Sequence, residues 1–223
     1  LHSTSRRQRQ MCIRDRSHFY DIFRYQILDT NSYIEEIWAY GYWAIDRCAR
    51  IIKEGASFKE VTKGDLAEVE GCIAQAYAIK ALCSFYLTNM FGLPYSEANK
   101  TTLGIVNVTE PVPAYSQVSR VSVEQNYSLI LDDITKAKEY YAKEGVENVG
   151  KQYMNTAAVA ALEARVKLYM KNYEGAITAA QEAITLSGGT VVSTKEDYKN
   201  MYTTLAVSTE DIFFIAKAED DYS

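Results

Sequence analysis

Residues 155–189 read NTAAVAALEARVKLYMKNYEGAITAAQEAITLSGG, and this stretch decides the fold class. Asn155 and Thr156 are capping residues in front of an apolar run that continues to Met170. Lys171 and Asn172 form a tight turn, a second helical segment runs from Tyr173 to about Leu186, and Gly188 and Gly189 end it. The spacing Ala164, Leu168, Tyr173, Ala176, Ala180 and Ala183 predicts two antiparallel helices whose small residues allow close approach, as in a tetratricopeptide hairpin. Only this hairpin fits the pattern well, so a regular repeat array is not predicted.

Toward the N-terminus, Ser122 to Lys143 also has a helical period, with Val123, Tyr127, Ile130, Ile134, Ala137 and Tyr141 on one side. Asp132 and Asp133, in its middle, read as a solvated face. Upstream, residues 93–119 (LPYSEANKTTLGIVNVTEPVPAYSQVS) hold all three prolines and no helical period, which predicts a long extended connection on the surface. Asp65 to Asn89 reads as a helix, and the run GCIAQAYAIKALCSFYLTNMF is apolar on nearly every side, the mark of a helix buried among others. Lys80 interrupts that run. It is expected to reach the rim or to pair with Glu70 or Glu35.

A further helix begins near Ser32, where Ser32 and Glu35 form a capping-box pattern and Gly55 lies beyond the far end. Its stripe is Ile34, Ile37, Trp38, Gly41, Ile45, Cys48 and Ile52. Residues 18–30 contain Tyr20, Phe23 and Tyr25 without a clear period. Near the other terminus, Asp211-Ile212-Phe213-Phe214-Ile215 reads as a short strand or buried segment. The predicted class is mainly all-α.

Composition narrows the function. A formal charge of −5 offers no electrostatic footprint for nucleic acid. Residues 1–17, LHSTSRRQRQMCIRDRS, carry five Arg and one Asp on an otherwise acidic chain. They have no apolar period and are similar to translated adapter sequence. They read as a non-native basic extension, leaving 18–223 as a partial helical domain. The segment has no apolar core of a signal peptide, and Cys12 lacks the residues of a lipoprotein cleavage site. No stretch reaches transmembrane length. Cys48, Cys72 and Cys83 have no metal-like spacing and read as small apolar core residues. Cys72 and Cys83, eleven apart, share one side of a helix. His2 and His18 are the only histidines, so no His-based metal site or triad is expected. The sequence holds no Gly-rich phosphate loop, nucleophile elbow or metal-ligand cluster, so neither an enzyme nor a cofactor is expected.

Four pieces in order resemble the SusD/RagB family. The first is Ala74-Gln75-Ala76, Lys80-Ala81, Phe85-Tyr86-Leu87, Phe91-Gly92 and Pro94-Tyr95. The second is Gly104-Ile105, Val108-Thr109-Glu110-Pro111, Arg120-Val121-Ser122-Val123, Tyr127 and Asp133. Next come Ala158, Ala161-Leu162, Ala164-Arg165-Val166, Leu168-Tyr169, Tyr173 and Ala176, and finally Thr209-Glu210-Asp211-Ile212-Phe213. Gln75 and Lys80 depart from the family's Glu and Arg, weakening any bidentate pair there. These residues set helix packing and turns and do not mark a ligand site.

The resemblance implies a SusD-like scaffold of tetratricopeptide-like helix pairs with long irregular loops, of which this chain is an incomplete, N-terminal helical part. It implies a surface-exposed outer-membrane lipoprotein whose lipid anchor lies outside this chain. Such a protein sits over a SusC-like TonB-dependent transporter and captures oligosaccharides or peptides. Ligand residues are expected in irregular segments, and Tyr25, Asn31 and Tyr33 fall where the family often places them. A tetratricopeptide-type protein-interaction adaptor is the alternative, but the 93–119 connection breaks the repeat of about 34 residues it would need.

Overall fold

Long runs of Ala, Leu and Ile at helical spacing favour helices, and the computed structural model is built from them. It describes residues 20–28, 30–58, 63–203 and 208–215. The basic segment 1–17, with His2 and Cys12, and also His18, lies outside the described residues. In chain order the elements are α1 (Tyr20–Phe23), α2 (Ser32–Ala56), α3 (Lys63–Phe91), β1 (Leu103–Val106), β2 (Arg120–Ser122), α4 (Val123–Tyr141), α5 (Thr156–Tyr169), α6 (Tyr173–Ser187) and α7 (Lys195–Thr203). The chain divides into two compact units, 1–42 and 43–223, with α2 running through the boundary.

In the first unit, the cap of α2 is Asn31 and not Ser32. Its Oδ1 accepts from the Ile34 N–H at 3.3 Å, and its carbonyl accepts from Ile34 and Glu35. Asn and Ser are comparable caps, and the competition went to the residue one step earlier. Trp38 and Tyr42 pack with ring centroids 4.8 Å apart.

In the second unit, Ile45, Cys48 and Ala49 are the buried residues of α2. Gly55 lies inside the last turn of α2, not beyond it, and a Cβ there would come within 2.8 Å of the Ile73 side chain. Helices α3 and α4 pack antiparallel: Lys143 reaches Glu70, Tyr77 stacks on Tyr140, Lys80 meets Asp133 and Phe85 meets Tyr127 edge to face. The predicted α4 stripe of Val123, Tyr127, Ile130, Ile134, Ala137 and Tyr141 is buried throughout. Each of its large apolar members contributes about 1.5–3 kcal/mol on burial. Ser122 caps α4, with Gln125 completing a capping box.

The α5–α6 hairpin forms as predicted, turning through Lys171 at φ 63 and Asn172, whose side chain caps α6. Its packing face differs. The buried positions are Ala157, Ala158, Val159, Ala160, Leu162 and Val166 on α5, and Ala176, Ala179 and Ala183 on α6. Leu168 and Tyr173, expected in the contact, are exposed. Because α5 is apolar on almost every side, its period does not single out the face that meets a neighbour.

Two other expectations are corrected, and a third is narrowed. The 93–119 connection contains β1, which pairs antiparallel with β2 (Leu103 opposite Ser122, Val106 opposite Arg120) and buries Gly104 and Ile105. Cys72 is exposed and Cys83 half-buried, so of these three Cys48 alone is a core cysteine. Of the two readings of Asp211–Ile215, strand or buried segment, the second holds in part: the backbone is irregular, with Asp211, Ile212 and Phe214 partly buried. Ile212 packs against the core, Asn155 Nδ2 donates to its carbonyl at 3.2 Å, and Phe214 N donates to the Lys151 carbonyl.

Candidate ligand-binding site

Three features in the described residues are candidates for contact with a ligand. The first precedes α2. The chain leaves the single turn of α1 through Tyr25, whose N–H donates to the Ile22 carbonyl at 3.1 Å and whose φ is 56. Left-handed backbone is uncommon for an aromatic residue. Tyr25 is 93% exposed, and Phe23, Ile27 and Leu28 beside it in sequence are exposed too. Asn31 is half-buried, and its amide oxygen is committed to the α2 cap. Tyr33 is half-buried in the first turn of α2. Of the three predicted site residues, Tyr25 therefore presents a ring, Asn31 has a structural duty, and Tyr33 is partly covered.

The second feature is a buried ion pair. Lys80 Nζ lies 2.9 Å from Asp133 Oδ1, with both side chains almost wholly buried. Lys80 pairs across the helix interface, not with Glu70 or Glu35, and Asp133 is no solvated charge; Asp132 beside it is exposed. The helical period put Asp133 near the buried stripe but gave no partner, since the partner belongs to another helix. Burial pushes the Asp133 carboxyl up to about 6, against the opposing pull of the Lys80 ammonium. A small crevice beside the pair is lined by Ser84, Asn107, Thr109 and Asn126. Asn126 is fully buried. Its Oδ1 accepts from the Ile105 N–H at 2.8 Å, and its Nδ2 donates to Asn107 Oδ1 at 2.7 Å. A side chain thus serves as a partner strand for β1.

The third feature is a cleft of about 1010 Å³ between the start of α3 and the 144–153 loop, with Glu68, Glu70, Gln75, Glu144, Glu147 and Tyr153 on its walls. Lys143 holds Glu70 at 2.6 Å. Among the described residues, no group of three or more His, Cys, Asp or Glu side chains is placed to hold a metal ion. No described helix is long and apolar enough to cross a membrane.

Comparison with known proteins supplies the family. A SusD-like family model, described as starch-binding associating with outer membrane, matches residues 3–168. A SusD superfamily protein from Bacteroides thetaiotaomicron superposes with a TM-score of 0.74 at 26% identity, over 83% of this chain and 39% of its own. A SusD superfamily protein from Bacteroides vulgatus gives 0.73 at 26% identity, over 83% of this chain and 41% of its own. A laminarin binding SusD-like protein shares the fold, with a TM-score of 0.57 at 20% identity over 75% of this chain and 34% of its own. The chain thus spans about two-fifths of the length of the first two structures. No curated protein matches it. With most of the sequence under one family model and the helical core superposing on solved members, the chain belongs to the SusD-like family.

Proposed function

We propose that the protein to which this chain belongs binds oligosaccharides at the bacterial outer-membrane surface, for uptake through a SusC-like TonB-dependent transporter. The observation that carries this reading is the exposed segment before α2, where Tyr25 is held outward on left-handed backbone with Asn31 close by in sequence. A pyranose has an apolar C–H face and a rim of hydroxyls. A flat tyrosine ring covers the face and an amide addresses the rim. The family description, starch-binding associating with outer membrane, and the laminarin-binding relative favour a glycan over a peptide. The protein acts by capture and not by turnover. An N-terminal lipid holds it at the surface, and the transporter is its partner.

Native gels cast with soluble starch, laminarin, xylan or mannan test this. The full-length protein is expected to be retarded in at least one, and the Tyr25→Ala variant less so. Equal mobility of the wild type in all gels would remove the glycan reading. New reducing ends released by repurified protein would contradict capture without chemistry.

A further inference from the structure

We propose that the β1–β2 loop is a second glycan contact, with Tyr115 as its stacking platform; this rests on the glycan reading above. The loop, Asn107–Ser119, leaves and re-enters the structure at two clamped points. At its start, Asn126 bonds both backbone groups of Ile105 and the side chain of Asn107. At its end, the Arg120 guanidinium donates to the carbonyls of Gly104, Leu103 and Phe91. Pro111 and Pro113 fix two backbone angles between these clamps. Residues 113–119 are all exposed.

Tyr115 sits at the apex. The Ser116 N–H donates to the Pro113 carbonyl at 3.2 Å, closing a turn in which Tyr115 takes the third position with φ 64. Glycine or asparagine is the usual occupant there, because a side chain strains the left-handed conformation. Tyrosine accepts that strain with no packing in return, since it is 104% exposed. Strain held without local compensation, on a loop clamped at both ends, marks a ring kept out for something that is not part of the fold. Tyr25 shows the same pairing of left-handed backbone and near-complete exposure, on a different part of the chain.

The flanks choose the ligand class. In sequence, exposed Thr109, Glu110, Ser116, Gln117 and Ser119 flank one aromatic residue with hydroxyl, carboxylate and amide groups. A stable protein interface covers about 800 Å² per partner around an apolar centre, which a lone ring with Val118 does not supply. One sugar face needs only the ring and a few polar neighbours. Pre-ordering by the prolines and the two clamps lowers the entropy lost on binding.

Calorimetry of the full-length protein against starch, laminarin, xylan and mannan oligosaccharides, with Tyr115→Ala, Tyr115→Phe and Tyr115→Gly variants, tests the proposal. Tyr115→Ala is expected to weaken binding about tenfold and Tyr115→Phe to preserve it. Tyr115→Gly should keep or raise the thermal midpoint while losing affinity, which separates binding from folding. Wild-type affinity in Tyr115→Ala overturns the proposal and leaves the glycan reading standing. Absence of binding by the wild type to every glycan removes both. Unchanged glycan affinity together with loss of a co-purifying transporter would reassign the loop to a protein contact and also overturn the proposal.

Discussion

Replacing Lys80 with methionine keeps the apolar stem and removes the charge that faces Asp133 at 2.9 Å. Above neutral pH the variant must either hold an unpaired carboxylate in the core or protonate it. Breaking a buried pair from one side costs about 3–5 kcal/mol. The cost depends on pH because Asp133 is already pushed up to about 6 in the paired state, chiefly by burial. Without Lys80 the folded-state value rises further, so at pH 5 the folded variant carries a neutral carboxyl. The penalty there falls to roughly that of a lost hydrogen bond, about 1 kcal/mol. The sign follows from linkage: a carboxyl raised above its unfolded value contributes stability below that unfolded value, and the contribution is lost as pH rises through about 6. Urea unfolding of the wild type and Lys80→Met at pH 5 and pH 8 should therefore show a deficit larger at pH 8 by about 2–3 kcal/mol. A Lys80→Met, Asp133→Leu double variant should recover most of the loss at pH 8. An equal deficit at both values, or no recovery in the double variant, would show that the buried pair does not set this stability.

Other perturbations follow from the same geometry. Gly104→Ala places a Cβ on the Asn126 amide oxygen and within 3.3 Å of the Val123 backbone, so it displaces the side chain that holds β1. A loss of about 2–4 kcal/mol and faster hydrogen exchange at Ile105 are expected, by denaturation and NMR. Asn155→Ala removes the α5 cap to Ala158 N and the bond to the Ile212 carbonyl, and should cost about 1–2 kcal/mol in the same denaturation assay. Tyr25→Ala should lower glycan affinity by about 1–3 kcal/mol in calorimetry and leave the thermal midpoint unchanged, because its ring is exposed.

The α4 stripe was legible residue by residue because that helix has one apolar face and one polar face, so its period names the buried side. Helix α3 and helix α5 are apolar nearly all round. Their existence could be read, but the faces that meet neighbours could not, which is why Leu168 and Tyr173 were misplaced. Strand β1 escaped because it is four residues long and is held in part by a side chain, Asn126, twenty-one positions away. The Lys80–Asp133 pair escaped for the same reason: its members lie on different helices, and nothing local joins them. At the candidate site, position in an irregular segment pointed to Tyr25 and Asn31, whereas the cap that occupies Asn31 depends on backbone geometry. Tyr115 had only its turn-rich surroundings as a signal, and its left-handed backbone is invisible in a sequence.

The most direct measurement is a crystal structure of the full-length protein with an oligosaccharide to which it binds. Sugar density is expected stacked on a tyrosine of an exposed irregular segment, Tyr25 or Tyr115, with amide or hydroxyl side chains at its rim. A sugar seated in the cleft lined by Glu68, Glu144 and Tyr153, with Tyr25 and Tyr115 both in solvent, would contradict it.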